Sequence, residues 1–260
     1  MGIKLNSAPV YYTLAQVQFN PILDLETYMP LIQAEMRKAH FPDFKREVIQ
    51  QFMMPMDPSQ IAPPSAATQT RYLFGDINST SSFVLDNNGL VLQCTNYDTF
   101  ETFLATLLQG LKTLDRILQL DFVERIGVRY LDAVQPKDGE TLKDYLIPEV
   151  LGLSMYGVGS LQQSFSETGA FTPAGQLISR VIIRDGQVGL PMELNALAPT
   201  IAPRFMEKNS LHAIVDTDCF AIQREPFNIA NIENHLMALH DQIVESFRVM
   251  VTRYALDSWA

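Results

Sequence analysis

Twice along this chain the same order of elements recurs: an alternating strand, a helix, several short strands and a long amphipathic helix. An internal repeat constrains the fold before any single residue is weighed. Antiparallel strands bounded by amphipathic helices bury their apolar sides when the helices pack on one face of a sheet.

The first strand is expected at Tyr11 to Phe19. Tyr11, Thr13, Ala15, Val17 and Phe19 share one face, and Gln16 and Gln18 the other. A helix follows over Leu25 to His40, with Leu25, Tyr28, Met29, Ile32 and Met36 at helical spacing and Pro30 near its start. A strand near Glu47 to Met54 leads into a loop punctuated by Pro55, Pro58, Pro63 and Pro64. Strands are then expected at Arg71–Ile77, Ser82–Asp86 and Leu90–Thr95, the last two joined by the turn residues Asn87-Asn88-Gly89. Asp98 and Glu101 have the spacing of a capping box. They open a helix with a near-continuous stripe from Phe100 through Leu107 and Leu111 to Leu118.

The plan then restarts. Glu124 to Val134 reads as a strand, Thr141 to Val150 as a short helix, and Gln162–Phe165 and Leu177–Arg184 as strands. A proline-punctuated segment from Leu190 to Pro203 precedes a strand at Leu211 to Asp216. A long helix from Asn231 to about Tyr254 closes the chain. The anchors align in order: Val17-Gln-Phe19 with Val128-Arg-Tyr130, and Leu25-x-x-Tyr28 with Leu142-x-x-Tyr145.

The expectation is an α+β fold of two tandem β-α-β(3-4)-α repeats, residues 1–120 and 121–260, joined as one compact pseudo-twofold unit. Its sheet is expected to be curved and mainly antiparallel, with the long helices on the convex side. The plan resembles helix-grip and TATA-box-binding-protein-like folds, a likeness of fold that implies no function.

Composition narrows the function classes. The 260 residues carry a net charge of −10, which disfavours non-specific nucleic-acid binding because that depends on Lys and Arg neutralising phosphates. Cys94 and Cys219 lie in apolar strand-like stretches and read as reduced, small hydrophobes. The N-terminus lacks the apolar run of a signal peptide, and no stretch approaches the ~18 apolar residues of a membrane helix. A cytoplasmic location away from membranes is expected.

Catalytic signatures are sparse. His235 and His240 are five apart, so they do not share a helix face as a zinc pair would. Asp216-Thr-Asp218 is a lone DxD pattern, and a turn or cap role is its simpler reading. Gly157-Val-Gly159 lacks the context of a dinucleotide fingerprint, and no Walker lysine motif or nucleophile elbow is found. No cofactor and no metal site is expected.

One constellation stands out. Arg125 and Arg129 alternate with Ile126, Val128 and Tyr130, so both project from the face opposite the core. Arg180 and Arg184 do the same in their strand, and Arg71 starts another. On a concave sheet these arginines could converge on a phosphate or carboxylate. The plainer reading is a solvated face with ion pairs to Glu124, Asp132 and Asp185. His240 falls within the apolar stripe of the last helix, either as a satisfied half-buried residue or as a ligand-orienting one.

RIGVRYLD at Arg125 to Asp132, the Leu-His-x-x-Ile-x-x-x-Phe run at Leu239 to Phe247, the Ala-Pro-Val opening and Trp259 resemble a sporadically distributed family of uncharacterised prokaryotic proteins of about 260 residues. That family usually carries a Glu in the first strand, near where Tyr12 stands here. The resemblance implies scattered, horizontally moved genes, as in defence or toxin–antitoxin modules, and it implies no catalytic residues.

The functional expectation is a non-enzymatic binding or accessory protein that engages a protein partner or an anionic ligand. Arg125, Arg129, Arg180, Arg184 and His240 are its candidate binding residues. A homo-oligomer is compatible with the same surface. Two alternatives stay open: a metal-dependent hydrolase or nucleotide-processing enzyme using Asp216, Asp218 and His240, and small-molecule capture in a helix-grip cavity lined by Met53-Met-Pro-Met56.

Overall fold

The computed structural model describes residues 7–53, 65–157, 159–195 and 197–260. Most of the Met53-Met-Pro-Met56 run and the loop from Pro55 to Pro64 lie outside the described residues.

Among the described residues nine strands form one open sheet in which every neighbouring pair is antiparallel. They are β1 (Val10–Phe19), β2 (Asp43–Met53), β3 (Ser65–Gly75), β4 (Ser81–Asp86), β5 (Gly89–Cys94), β6 (Phe122–Val134), β7 (Gln163–Phe171), β8 (Gln176–Arg184) and β9 (His212–Pro226). Their spatial order is β2-β3-β4-β5-β1-β6-β9-β8-β7, so β1 and β6 pair at the middle. The helices are α1 (Leu25–Lys38), α2 (Phe100–Leu118), α3 (Leu142–Tyr145), α4 (Pro148–Leu151), α5 (Met192–Asn195), α6 (Pro203–Met206), α7 (Ile229–Met250) and α8 (Arg253–Trp259). The expected α+β class, with its antiparallel sheet and helices against it, is what the chain adopts.

The long helices α1, α2 and α7 share one face of the sheet. Ala15, Val17 and Phe19 of β1 meet Ile32 of α1, Leu107 and Leu111 of α2 and Leu236 of α7 in the main core. Each of these side chains larger than Ala15 contributes roughly 1.5–3 kcal/mol by leaving water. A second cluster continues this face under α3, α4 and α8, around Val134, Val215, Leu146 and Trp259.

The opposite face is covered in part by the connection between β8 and β9, here called the strap. Val188 and Phe205 of the strap lie over Tyr11, Tyr12, Leu131 and Ile214. It is tied to the far half of the sheet by Thr200 N–H donating to Ser79 O (2.8 Å) and by Thr95 Oγ1 donating to Thr200 O (2.6 Å). Gln93 Nε2 also donates to Leu197 O.

Several local expectations are corrected. Tyr11 joins Tyr12 beneath the strap rather than Thr13 on the helix face, because the β1–β6 register shifts between Val10 and Tyr12. Such a bulge re-aims a side chain. Thr99, not Asp98, caps α2, its hydroxyl accepting from Thr102 N–H. The final helix breaks at Val251, where Thr252 caps α8 and donates its hydroxyl to Asp144 O. Most consequentially, Asp216-Thr217-Asp218 is no turn. It lies inside β9, a strand of 15 residues.

Candidate functional site

The strands place the sequence-selected arginines by simple alternation. Ile126, Val128 and Tyr130 of β6 enter the helix-side core, so Arg125, Gly127 and Arg129 face the other way. There a groove of about 250 Å³ opens beside the strap. Tyr12, Leu14 and Gln16 of β1 form its floor with β6. Arg71 of β3, Asp86 of β4 and Gln93 of β5 line one flank, Asp218 of β9 the other, and Glu193, Leu194 and Leu197 of the strap form a wall.

The four arginines are not equivalent. Arg129 is 11% exposed and grips Asp216, itself 1% exposed, through Nε to Oδ1 and Nη2 to Oδ2, both 2.7 Å. Its Nη2 also reaches Glu193 at 3.0 Å. Burial pulls the Arg129 pKa down, but the bonds to Asp216 outweigh it and hold the group above its ordinary value. Arg180 donates to Glu167 (2.5 Å) and more weakly to Asp216 (3.4 Å). Arg184 sits further along, its Nε 3.5 Å from His212 Nε2. His212 Nδ1 lies 2.9 Å from Ser210 O, so the proton belongs on Nδ1 and Nε2 is free to accept. Burial lowers the His212 pKa, which favours this neutral form.

Arg125 differs from these three. Its Nη1 donates to Gln16 Oε1 (2.5 Å), and its guanidinium lies 4.5 Å over the Phe220 ring. Among the described residues it makes no salt bridge, although Asp218 is near enough to raise its pKa against the lowering effect of burial. Gly127 provides the room. A Cβ there would meet Phe220 Cβ at 3.2 Å and Arg125 Nη1 at 3.3 Å. On the other flank Arg71 donates to Gln69 (3.2 Å), and Gln69 donates to Asp86 (2.8 Å). Burial raises the Asp86 pKa.

The structure therefore brings Arg125 and Arg129 into one groove, with Arg180 a strand away and Arg184 beyond it. The expected ion partners Glu124, Asp132 and Asp185 are replaced by Asp216, Glu193 and Glu167, while Glu124 pairs with Arg224.

His240 is not part of this arrangement. It lies on α7, against the helix face of the sheet, with Nδ1 3.0 Å from Tyr130 OH and its ring stacked 3.9 Å from Phe100. Tyr97 OH is 3.1 Å from Tyr130 OH, completing a short hydroxyl–imidazole chain. Asp216 and Asp218 project from the opposite face, so the histidine and the two carboxylates of the hydrolase alternative do not converge. Among the described residues no cluster of three His, Cys, Asp or Glu has a metal-holding arrangement.

Sequence reasoning missed Gln16, Gly127, Phe220, Gln93 and the strap residues. Only Gly127, a glycine inside a strand pattern, carried a signal of close packing. No family model matches the chain, and no curated protein matches it.

Proposed function

We propose that the protein is a non-enzymatic binding protein whose groove captures an anionic group, either a small ligand or an acidic side chain or terminus of a partner protein. The observation that carries this reading is Arg125. It is half-buried, held by Gln16 with its guanidinium over Phe220, and makes no salt bridge among the described residues. A guanidinium fixed in this way presents its remaining donors to the groove in the geometry that carboxylates and phosphates accept.

The accessory role in a prokaryotic defence or toxin–antitoxin module rests on the resemblance at Arg125 to Asp132 and Leu239 to Phe247. Two buried free cysteines agree with a cytoplasmic setting. The strand order supports reading the chain as two repeats about the β1–β6 pair, since each half runs inward from a sheet edge: β2 to β5 on one side, β7 to β9 on the other.

Isothermal titration with short-chain carboxylates and inorganic phosphate tests the reading, alongside affinity capture of partners from the native host. Arg125→Gln is expected to lose binding of either kind. An Arg125→Gln variant that binds as the parent does removes the basis for the proposal.

A further inference from the structure

Asp218 faces the same groove as Arg125 and takes no salt bridge or hydrogen bond from another described side chain. Its neighbour across the β6–β9 ladder is Arg129, but Arg129 is turned to Asp216 and Glu193. Burial pushes the Asp218 carboxyl up, while the charges of Arg125 and Arg129 pull it down. Two opposite charges thus look into one cleft without touching.

Free side chains of opposite charge would close that gap, because the attraction is strong away from bulk water. Here the gap is held open from both sides. Gln16 and Phe220 pin Arg125, and Gly127 leaves the bed in which its side chain lies. Asp218 is fixed inside β9, between Arg129 and Ile178 in register. Among the described residues the lining is balanced, with three arginines (71, 125, 129) and three carboxylates (86, 193, 218). A purely anionic ligand on Arg125 would leave Asp218 facing it without a partner. Leu14, Val91 and Leu194 add apolar surface to the lining. The volume of about 250 Å³ is below the roughly 300–1,000 Å³ of drug-sized sites, which limits the ligand to a small one.

We propose that the groove takes a small bipolar ligand, an aminocarboxylate whose carboxylate sits on Arg125 and whose ammonium sits on Asp218. This rests on the groove reading above and adds the second pole. Both ends of such a ligand form charge-assisted hydrogen bonds.

The test is calorimetric titration with ω-aminocarboxylates from glycine to 6-aminohexanoate, each compared with the carboxylate and the alkylamine of matched length. One length is expected to bind about tenfold or more tighter than its matched carboxylate, the gain of one hydrogen bond between charged groups. Asp218→Asn, which keeps shape and removes charge, is expected to abolish that advantage and, by removing a repelling charge, to leave carboxylate binding as strong as in the parent or stronger. Arg125→Gln is expected to abolish both. Melting temperature without probe reports whether each variant is folded; if Asp218→Asn is not, Asp218→Ser is read in its place.

Aminocarboxylates that bind no better than carboxylates, or an advantage that survives in Asp218→Asn, overturn the bipolar proposal and leave the anion-binding reading standing. Carboxylate binding that survives in Arg125→Gln overturns both. So does the absence of binding by every probe at millimolar concentration.

Discussion

Arg129 and Asp216 meet through two parallel 2.7 Å hydrogen bonds, the fork-to-fork geometry in which a guanidinium and a carboxylate match each other best. The pair is nearly sealed from water, so either partner left alone would be a buried charge. Arg129→Gln is expected to destabilise the fold by about 3–5 kcal/mol. Arg125→Gln, which loses one hydrogen bond and a half-buried ring contact, should cost only about 1 kcal/mol. Urea unfolding of the two variants checks the contrast. Equal losses would mean that the two arginines share one role.

Asp132 gives the protein an unusual response to alkali. It is buried on the helix side of β6, and burial, reinforced by the charge of Asp216, pushes its pKa up to about 8. The unfolded chain gives up this proton near pH 4, the folded chain near 8. Deprotonation is therefore easier after unfolding, and stability falls as pH rises through that window, then levels off. The loss reaches about 5 kcal/mol. Asp132→Asn should remove the slope, so urea midpoints of variant and parent should converge near pH 4 and separate toward pH 8.

His240 acts in the opposite direction. Burial lowers its pKa, against the raising charges of Asp241 and Glu101. A histidine whose folded pKa is depressed costs nothing above its unfolded value of about 6.5. Below that, the unfolded state takes up the proton first and stability falls. His240→Gln should flatten this acid-side fall in pH-dependent unfolding. It should leave ligand titrations unchanged, because the residue lies across the sheet from the groove.

Gly110 reports on core packing. It sits within α2, where a Cβ would come within 2.7 and 2.8 Å of the Phe83 ring. That ring is itself held edge-on against Phe41, 4.7 Å away, and cannot step aside. Alanine gains about 1 kcal/mol of helix propensity. Overpacking costs about 1–3 kcal/mol. Gly110→Ala should therefore lower the melting temperature where an exposed helix would gain from the same change.

The groove was the part of this protein hardest to read from sequence, and the reason is local. Period-2 alternation revealed which way Arg125 and Arg129 point, since Ile126, Val128 and Tyr130 mark the core side. The same logic would have separated His240 from them, because a residue in the stripe of α7 must face that core. Asp216-Thr217-Asp218 looked like a turn because aspartates are scarce in strands. They are tolerated inside β9 because Arg129, distant in sequence, neutralises Asp216. The long α2 stripe was legible because packing there agrees with local periodicity. The strap was not, because Leu190 to Pro203 has neither periodicity and gains its place from Gln93, Thr95 and Ser79, about a hundred residues upstream.

That distance has a consequence for how the molecule is made. The bonds from Gln93 to Leu197 and from Thr95 to Thr200 span 104 and 105 residues, and β1 waits for β6 to complete the middle of the sheet. Contacts so remote in sequence form slowly, since a long loop must close before they reward it. During synthesis the first half emerges with the β1 edge unpaired, and Asp218 emerges only after the whole strap has been made. The groove is assembled only once β9 has joined β6, so a chain that ends before β9 lacks one of the groove's two flanks.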